Sequence, residues 1–219
     1  MTEPNDAHVA VDYKCRFEFQ AGWVDLTLAE ATRSAAVALA TEWANSLNPL
    51  HLDIEKKQII NSMVDRALRL SEDEPVMAAA YYSENGIGLA EFRLDSYGEE
   101  DVARPTPAEV QPQLLGWSFA EVAGEPDTEY LDLVAGPAVR VRAVIKTRRL
   151  LGLGRRLHQS VKYAVFPPGF HTLAVVTVTW QAMDQTDFLT QLVDELLESL
   201  RIVLVDADGN EISPSTSQK

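Results

Sequence analysis

Cys15, Phe17 and Phe19 alternate with Arg16 and Glu18, the period of a strand with one buried face. Past Gly22-Trp23, Thr27 and Glu30 stand at capping-box spacing, and Ala36, Leu39, Ala40, Trp43 and Leu47 recur at helical intervals. That pattern predicts a helix ending at Asn48-Pro49. A second helical stripe follows in Ile60, Met63, Val64, Ala67 and Leu68, so the two helices pack as a hairpin. From Pro75 the texture changes: Val76 to Tyr82 and Ile87 to Leu94 flank the turn signal Asn85-Gly86 and predict a β-hairpin. Thr106, Pro107 and Glu109 start a short helix that Pro112 should disturb. Four runs, Tyr130–Val134, Val139–Thr147, Gln159–Val165 and Phe170–Trp180, are β-branched and separated by joints too short for helical crossovers, which makes them an antiparallel meander. Asp184 and Asp187 open a closing helix with Leu189, Leu192, Leu196 and Leu200 on one side, followed by a short strand from Ile202 to Val205.

The chain therefore reads as α+β: a mostly antiparallel β-sheet covered by an early helical hairpin and a C-terminal helix. Residues 1–14 are expected to be a flexible N-terminal segment, 15–205 one domain, and 206–219 a turn and flexible tail. The stretch Phe17-Glu18-Phe19-Gln20-Ala21-Gly22-Trp23, and the run from Phe188 into Ser199-Leu200-Arg201-Ile202, resemble the PsbP-like α/β/α sandwich superfamily. The resemblance implies small sheets covered by an early and a final helix. It also implies the function class of that superfamily, mostly non-catalytic binding or assembly factors, and no residue-level site. The helix pair between Thr27 and Ser71 is longer than the resemblance leads one to expect.

Composition narrows the partners. Thirty-three acids against 19 Lys plus Arg give a net charge of -14, so the molecule as a whole repels phosphate backbones and anionic lipid. Nucleic acid is excluded as a general partner and membrane association is disfavoured. A single cysteine, Cys15, rules out an intrachain disulfide and fits a cytoplasmic setting.

Charge is also segregated along the chain. No Asp or Glu occurs from Leu133 to Met183, where eight basic residues fall; 11 basic and 33 acidic residues remain elsewhere, so +8 in one stretch faces -22 in the rest. Arg140, Arg142, Lys146 and Arg148 share one face of a predicted strand and Val139, Val141, Ala143 and Ile145 the other, giving a basic, wet face that His158 and Lys162 would extend. Within RRLLGLGRR, Arg148, Arg149, Arg155 and Arg156 surround Leu150, Leu151 and Leu153 at a hairpin tip. This face and tip would capture an acidic protein partner or support self-association. Equally, the face could meet the chain's own acids, such as Glu99, Glu100 and Asp101 or Asp127, Glu129 and Asp132.

Catalytic and cofactor signatures are poor, and no cofactor or metal is expected. Gly152-Leu153-Gly154 lacks the third glycine and the helix of a dinucleotide site, and Asp206 to Glu211 has its glycine too early for a calcium loop. His51 beside Asp53 reads as a cap or surface pair, and Cys15 as a small buried hydrophobe. The sequence is thus read as a non-catalytic protein-binding or assembly module. The alternative is a small-molecule-binding or hydrolytic protein with a pocket between sheet and helices, for which Trp117, Tyr163 and His171 are the first candidates.

Overall fold

The computed structural model of the protein describes residues 12–51, 54–98, 102–117, 120–148, 155–205 and 211–212. Its elements run β1 (Asp12–Arg16), β2 (Trp23–Asp25), α1 (Arg33–Ala44), α2 (Lys56–Leu70), β3 (Met77–Tyr82), β4 (Gly88–Tyr97) and α3 (Pro107–Leu114). The second half continues β5 (Ala120–Leu133), β6 (Gly136–Arg148), β7 (Arg155–Val165), β8 (Leu173–Trp180), α4 (Thr186–Glu198), β9 (Arg201–Val205) and β10 (Glu211–Ile212). Seven strands form an antiparallel sheet in the order β2-β3-β4-β8-β7-β6-β5. A small sheet, β1-β9-β10, joins the two ends of the described chain, and its last strand comes from the stretch read as a tail.

Strand parity assigns the two faces of the large sheet. On one, Phe92 and Leu94 of β4, Val176 and Val178 of β8, and Val161 and Tyr163 of β7 meet Leu189, Val193, Leu196 and Leu197 of α4. The small sheet joins this side through Phe17, whose ring stands edge-on to Phe92 with centroids 5.2 Å apart. On the other face, Ala78, Ala80 and Tyr82 of β3 receive α1 and α2, while α3 covers Val139 and Val141 of β6 and Ala164 of β7 with Val110 and Leu114. Helices on both sides of an antiparallel sheet confirm the α+β class.

Two readings of the helices need correction. The first helix starts at Thr32, whose side chain accepts from Ala35 N, and not at Thr27. The Thr27 hydroxyl instead accepts from Ala78 N at 3.0 Å and faces Ala78 O at 3.3 Å, extending the sheet past β2. The buried stripe of α1 is Ala36, Ala40 and Ala44, with Trp43 38% exposed, because the sheet beneath it is itself alanine-rich and close packing of small faces leaves no room for an indole. By contrast α3 carries the capping box at Thr106 and Glu109, and tolerates Pro112 in its interior. Gly22 turns the chain into β2 at φ 95°, where a Cβ would lie 2.8 Å from Tyr82 O, so a larger residue would break the Tyr82 N to Gly22 O bond of that turn.

Candidate interaction surface

The basic strand is β6, and its alternation is as the sequence predicts: Val139, Val141, Ala143 and Ile145 are buried on one side. The arginine side is not the wet face that alternation alone suggests. Arg140 is only 9% exposed, and its guanidinium lies between Glu129 of β5 and Asp194 of α4, the latter at 2.9 Å. Tyr163 donates to the same Asp194 carboxylate. Burial works against the Arg140 charge, but Tyr163 and Asp194 outweigh it and its pKa is raised. Tyr163 is likewise raised, by burial first and then by its bond to Asp194.

Arg142, half-buried, donates through Nε to Asp127 Oδ2 at 3.0 Å, and the guanidinium holds that carboxyl below its ordinary range. Arg155 pairs with Glu121 at 2.7 Å in a solvent-exposed bridge. The strand β5 thus supplies an acid to each of these arginines: the registers Glu129↔Arg140 and Asp127↔Arg142 put opposite charges side by side, while Glu121, in register with Lys146, reaches across to Arg155 on β7. The groove between α4 and the irregular part of β5, about 680 Å³, is consequently acidic, with Asp127, Asp187, Glu195 and Glu198 facing the single Arg142.

Lys162 and His158 do not extend the arginine row. Pairing of Arg140 with Tyr163 and of Val141 with Lys162 places even-numbered β7 residues on the opposite face. There His158 Nε2 bonds Thr147 Oγ1 at 2.9 Å, and its pKa is lowered by burial and by Arg156. Lys162 donates to the carbonyls of Leu114 and Gly116 at the end of α3 and lies 4.4 Å from the centre of the Trp117 ring. Its pKa is lowered by burial.

The free end of the β6–β7 hairpin has different surroundings. Strand β8 reaches only as far as Trp180, opposite Gln159, whereas β6 and β7 pair on to Arg148 and Arg155. Residues 155–158 therefore have β6 as their one strand partner among the described residues. Lys146 and Leu157 are cross-strand partners here, with Leu157 46% exposed, and Arg156 is exposed on the other side. Among the described residues neither Lys146 nor Arg156 has an ion-pair partner. Arg149, Leu150, Leu151 and Leu153 lie outside the described residues, as do Asp53, Phe119 and residues 99–101 and 206–210, and of Arg148 only the backbone is described.

The alternative set does not converge. Tyr163 sits under α4, Trp117 is on the α3 side with Nε1 donating to Ser160 Oγ at 3.0 Å, and His171 is exposed in the connection between β7 and β8. The Cys15 thiol is pushed up to about 11 by burial, so at neutral pH it is protonated and a poor nucleophile. Sequence reasoning missed Thr177, which lies in register between Arg93 and Lys162 and lines a cavity beneath α3. Only the register reveals it.

No protein-family model matches the chain, and no curated protein matches it by sequence. Among solved structures it is similar to LpqN, involved in cell envelope biogenesis of Mycobacterium tuberculosis, at 12% identity and a TM-score of 0.45, covering 90% of this chain and 87% of that one. It is also similar to cyanobacterial PsbP from Synechocystis sp. PCC 6803, at 9% identity and a TM-score of 0.45 over 92% of this chain and 98% of that one. The Ran-binding protein Mog1p of Saccharomyces cerevisiae aligns over 57% of this chain and 77% of its own, at 12% identity and a TM-score of 0.32. No helix among the described residues is long and apolar enough to cross a membrane.

Proposed function

We propose that the chain is a non-catalytic binding module that receives an acidic segment of another protein at the free end of the β6–β7 hairpin. The observation that supports this reading is the overhang of β6 and β7 past the end of β8, on which Lys146, Arg156 and Leu157 are presented while Arg140, Arg142 and Arg155 are satisfied within the chain. Arg148, Arg149, Leu150, Leu151 and Leu153 belong to the proposed surface by their place in sequence between those residues. The exposed Arg156, with no ion-pair partner among the described residues, speeds encounter with an opposite charge; Lys146 adds to it although Glu121 of β5 lies opposite, and the bared Leu157 supplies apolar area.

The surface is narrower than the whole basic strand, since an Arg140 or Arg142 substitution would disturb internal bonds before it touched a partner. The test is affinity capture from native lysate with wild type and a Lys146→Glu/Arg156→Glu variant, at low salt and at about 0.5 M salt. The charge-reversed variant and the high-salt arm should each recover the captured protein at least about tenfold less well. Equal recovery by both proteins removes this surface. A second arm, Leu150→Ser/Leu151→Ser, should weaken capture while leaving the melting temperature in place.

A further inference from the structure

On the sheet face opposite α4, the helical cover is incomplete. The pair α1–α2 shields β2 and β3 and α3 shields β6 and β7, leaving part of β4 and β8 roofed only at one side. A cavity of about 440 Å³ opens there, within the range of small-molecule sites. Its floor changes character along the strands. Val175 and Leu173 of β8 with Val110 and Leu114 of α3 give an apolar end; Thr177 and Lys162 give a polar one.

The polar end is short of acceptors. An ammonium has three N–H donors, and Lys162 commits two of them, to Leu114 O at 3.1 Å and Gly116 O at 2.5 Å. Among the described residues no carboxylate pairs with it; the Trp117 ring lies 4.4 Å from Nζ, and burial lowers its pKa. Asp95 also lines the cavity, its carboxylate turned to Arg93, which grips both oxygens at 2.9 Å. The Thr177 hydroxyl, in register beside Lys162, has no hydrogen-bond partner among the described residues.

We infer that this cavity is a binding site for a small amphiphilic carboxylate, its head held by Lys162 Nζ and Thr177 Oγ1 and its apolar body laid along Val175 and Leu173 beneath Val110 and Leu114. The head gains one charge-assisted bond and one hydroxyl bond; the body removes apolar wall from water. This site is independent of the hairpin surface and lies on the α3 side of the sheet.

Isothermal titration of the full chain with decanoate, decanol and decyltrimethylammonium tests the assignment. Decanoate should bind saturably, one per chain, with decanol at least about tenfold weaker and the cation undetectable, as expected for loss of a hydrogen-bonded charge. Lys162→Met and Thr177→Val should each reduce decanoate affinity towards that of decanol while leaving decanol unchanged. Because Lys162 also caps α3, a Lys162→Met protein with a lowered melting temperature leaves the decision to Thr177→Val and to Val175→Phe, which fills the floor and should abolish both ligands. Absence of decanoate binding, equal affinity for decanoate and decanol, preference for the cation, or binding that survives Val175→Phe in a folded protein would each overturn the site.

Discussion

Asp194 accepts from Arg140 and Tyr163 at once, so one exposed-edge carboxylate of α4 fixes a buried guanidinium and a buried phenol against the sheet. Asp194→Asn keeps the shape and removes the charge. It should lower stability by about 1.5–3 kcal/mol, the usual range for hydrogen bonds to charged groups, and a denaturant titration reads the change. Glu91 is the second such hub, gripped by Arg69 at 2.6 and 2.7 Å and approached by Arg66 at 3.2 Å. Burial opposes its charge, but the Arg69 hydrogen bond and the two guanidinium charges prevail and hold the carboxyl below its ordinary 4.5. A carboxyl that binds its proton less tightly when folded contributes stability above the ordinary value, and that contribution fades as pH falls through the lowered one. With Arg69→Met, burial regains the upper hand, so the acid-unfolding midpoint followed by circular dichroism should move to higher pH. No shift would mean that Arg66 alone suffices.

At the scale of elements, the contrast between Ala40 and Trp43 of α1 is the sharpest check on the packing. Hydrophobicity alone ranks Trp43 as the core residue, yet Ala40 is fully buried and Trp43 stays 38% exposed. Trp43→Gln should stay within about 0.5 kcal/mol of wild type, whereas Ala40→Leu should cost about 1–3 kcal/mol by overpacking. Thermal melts of the two variants decide it. The same elements show what the sequence could carry. The helices α2, α3 and α4 and the β3–β4 hairpin were legible because period and turn chemistry are local, as at Asn85-Gly86 and at Thr106 with Glu109. The start of α1 was not, since Thr27 meets its partner Ala78 far along the chain. Nor was most of β5: its outer half, from Ala120 to Glu129, is acid-rich and interrupted between Ala123 and Asp127, and only its pairing with β6 makes it a strand. That omission hid the acids that neutralise Arg140, Arg142 and Arg155. Alternation placed the arginines on one face, but their partners depend on cross-strand register.

For the whole molecule, the +8 stretch and the -22 remainder meet in part inside one chain, where acids of β5 and α4 pair with Arg140, Arg142 and Arg155. A net charge of -14 remains spread over the surface. Screening that long-range repulsion should matter more than weakening exposed pairs such as Arg155–Glu121, which are worth little. The melting temperature should therefore rise modestly between low salt and about 0.5 M sodium chloride, with the oligomeric state by sedimentation unchanged. A fall in the melting temperature would show that ion pairs dominate, and dissociation on adding salt would favour self-association through charge.

The pairing of β1 with β9 sets Asp12 against Val205, and β10 runs back along the other side of β9 to set Ile212 against Leu204, so the chain enters and leaves this ribbon in opposite directions. Hydrogen bonds in an antiparallel pair run across the strands, so a load applied in opposite directions along β1 and β10 strains them together instead of peeling them apart one after another. Pulled from those two ends, the small sheet thus acts as a clasp whose rungs share the load.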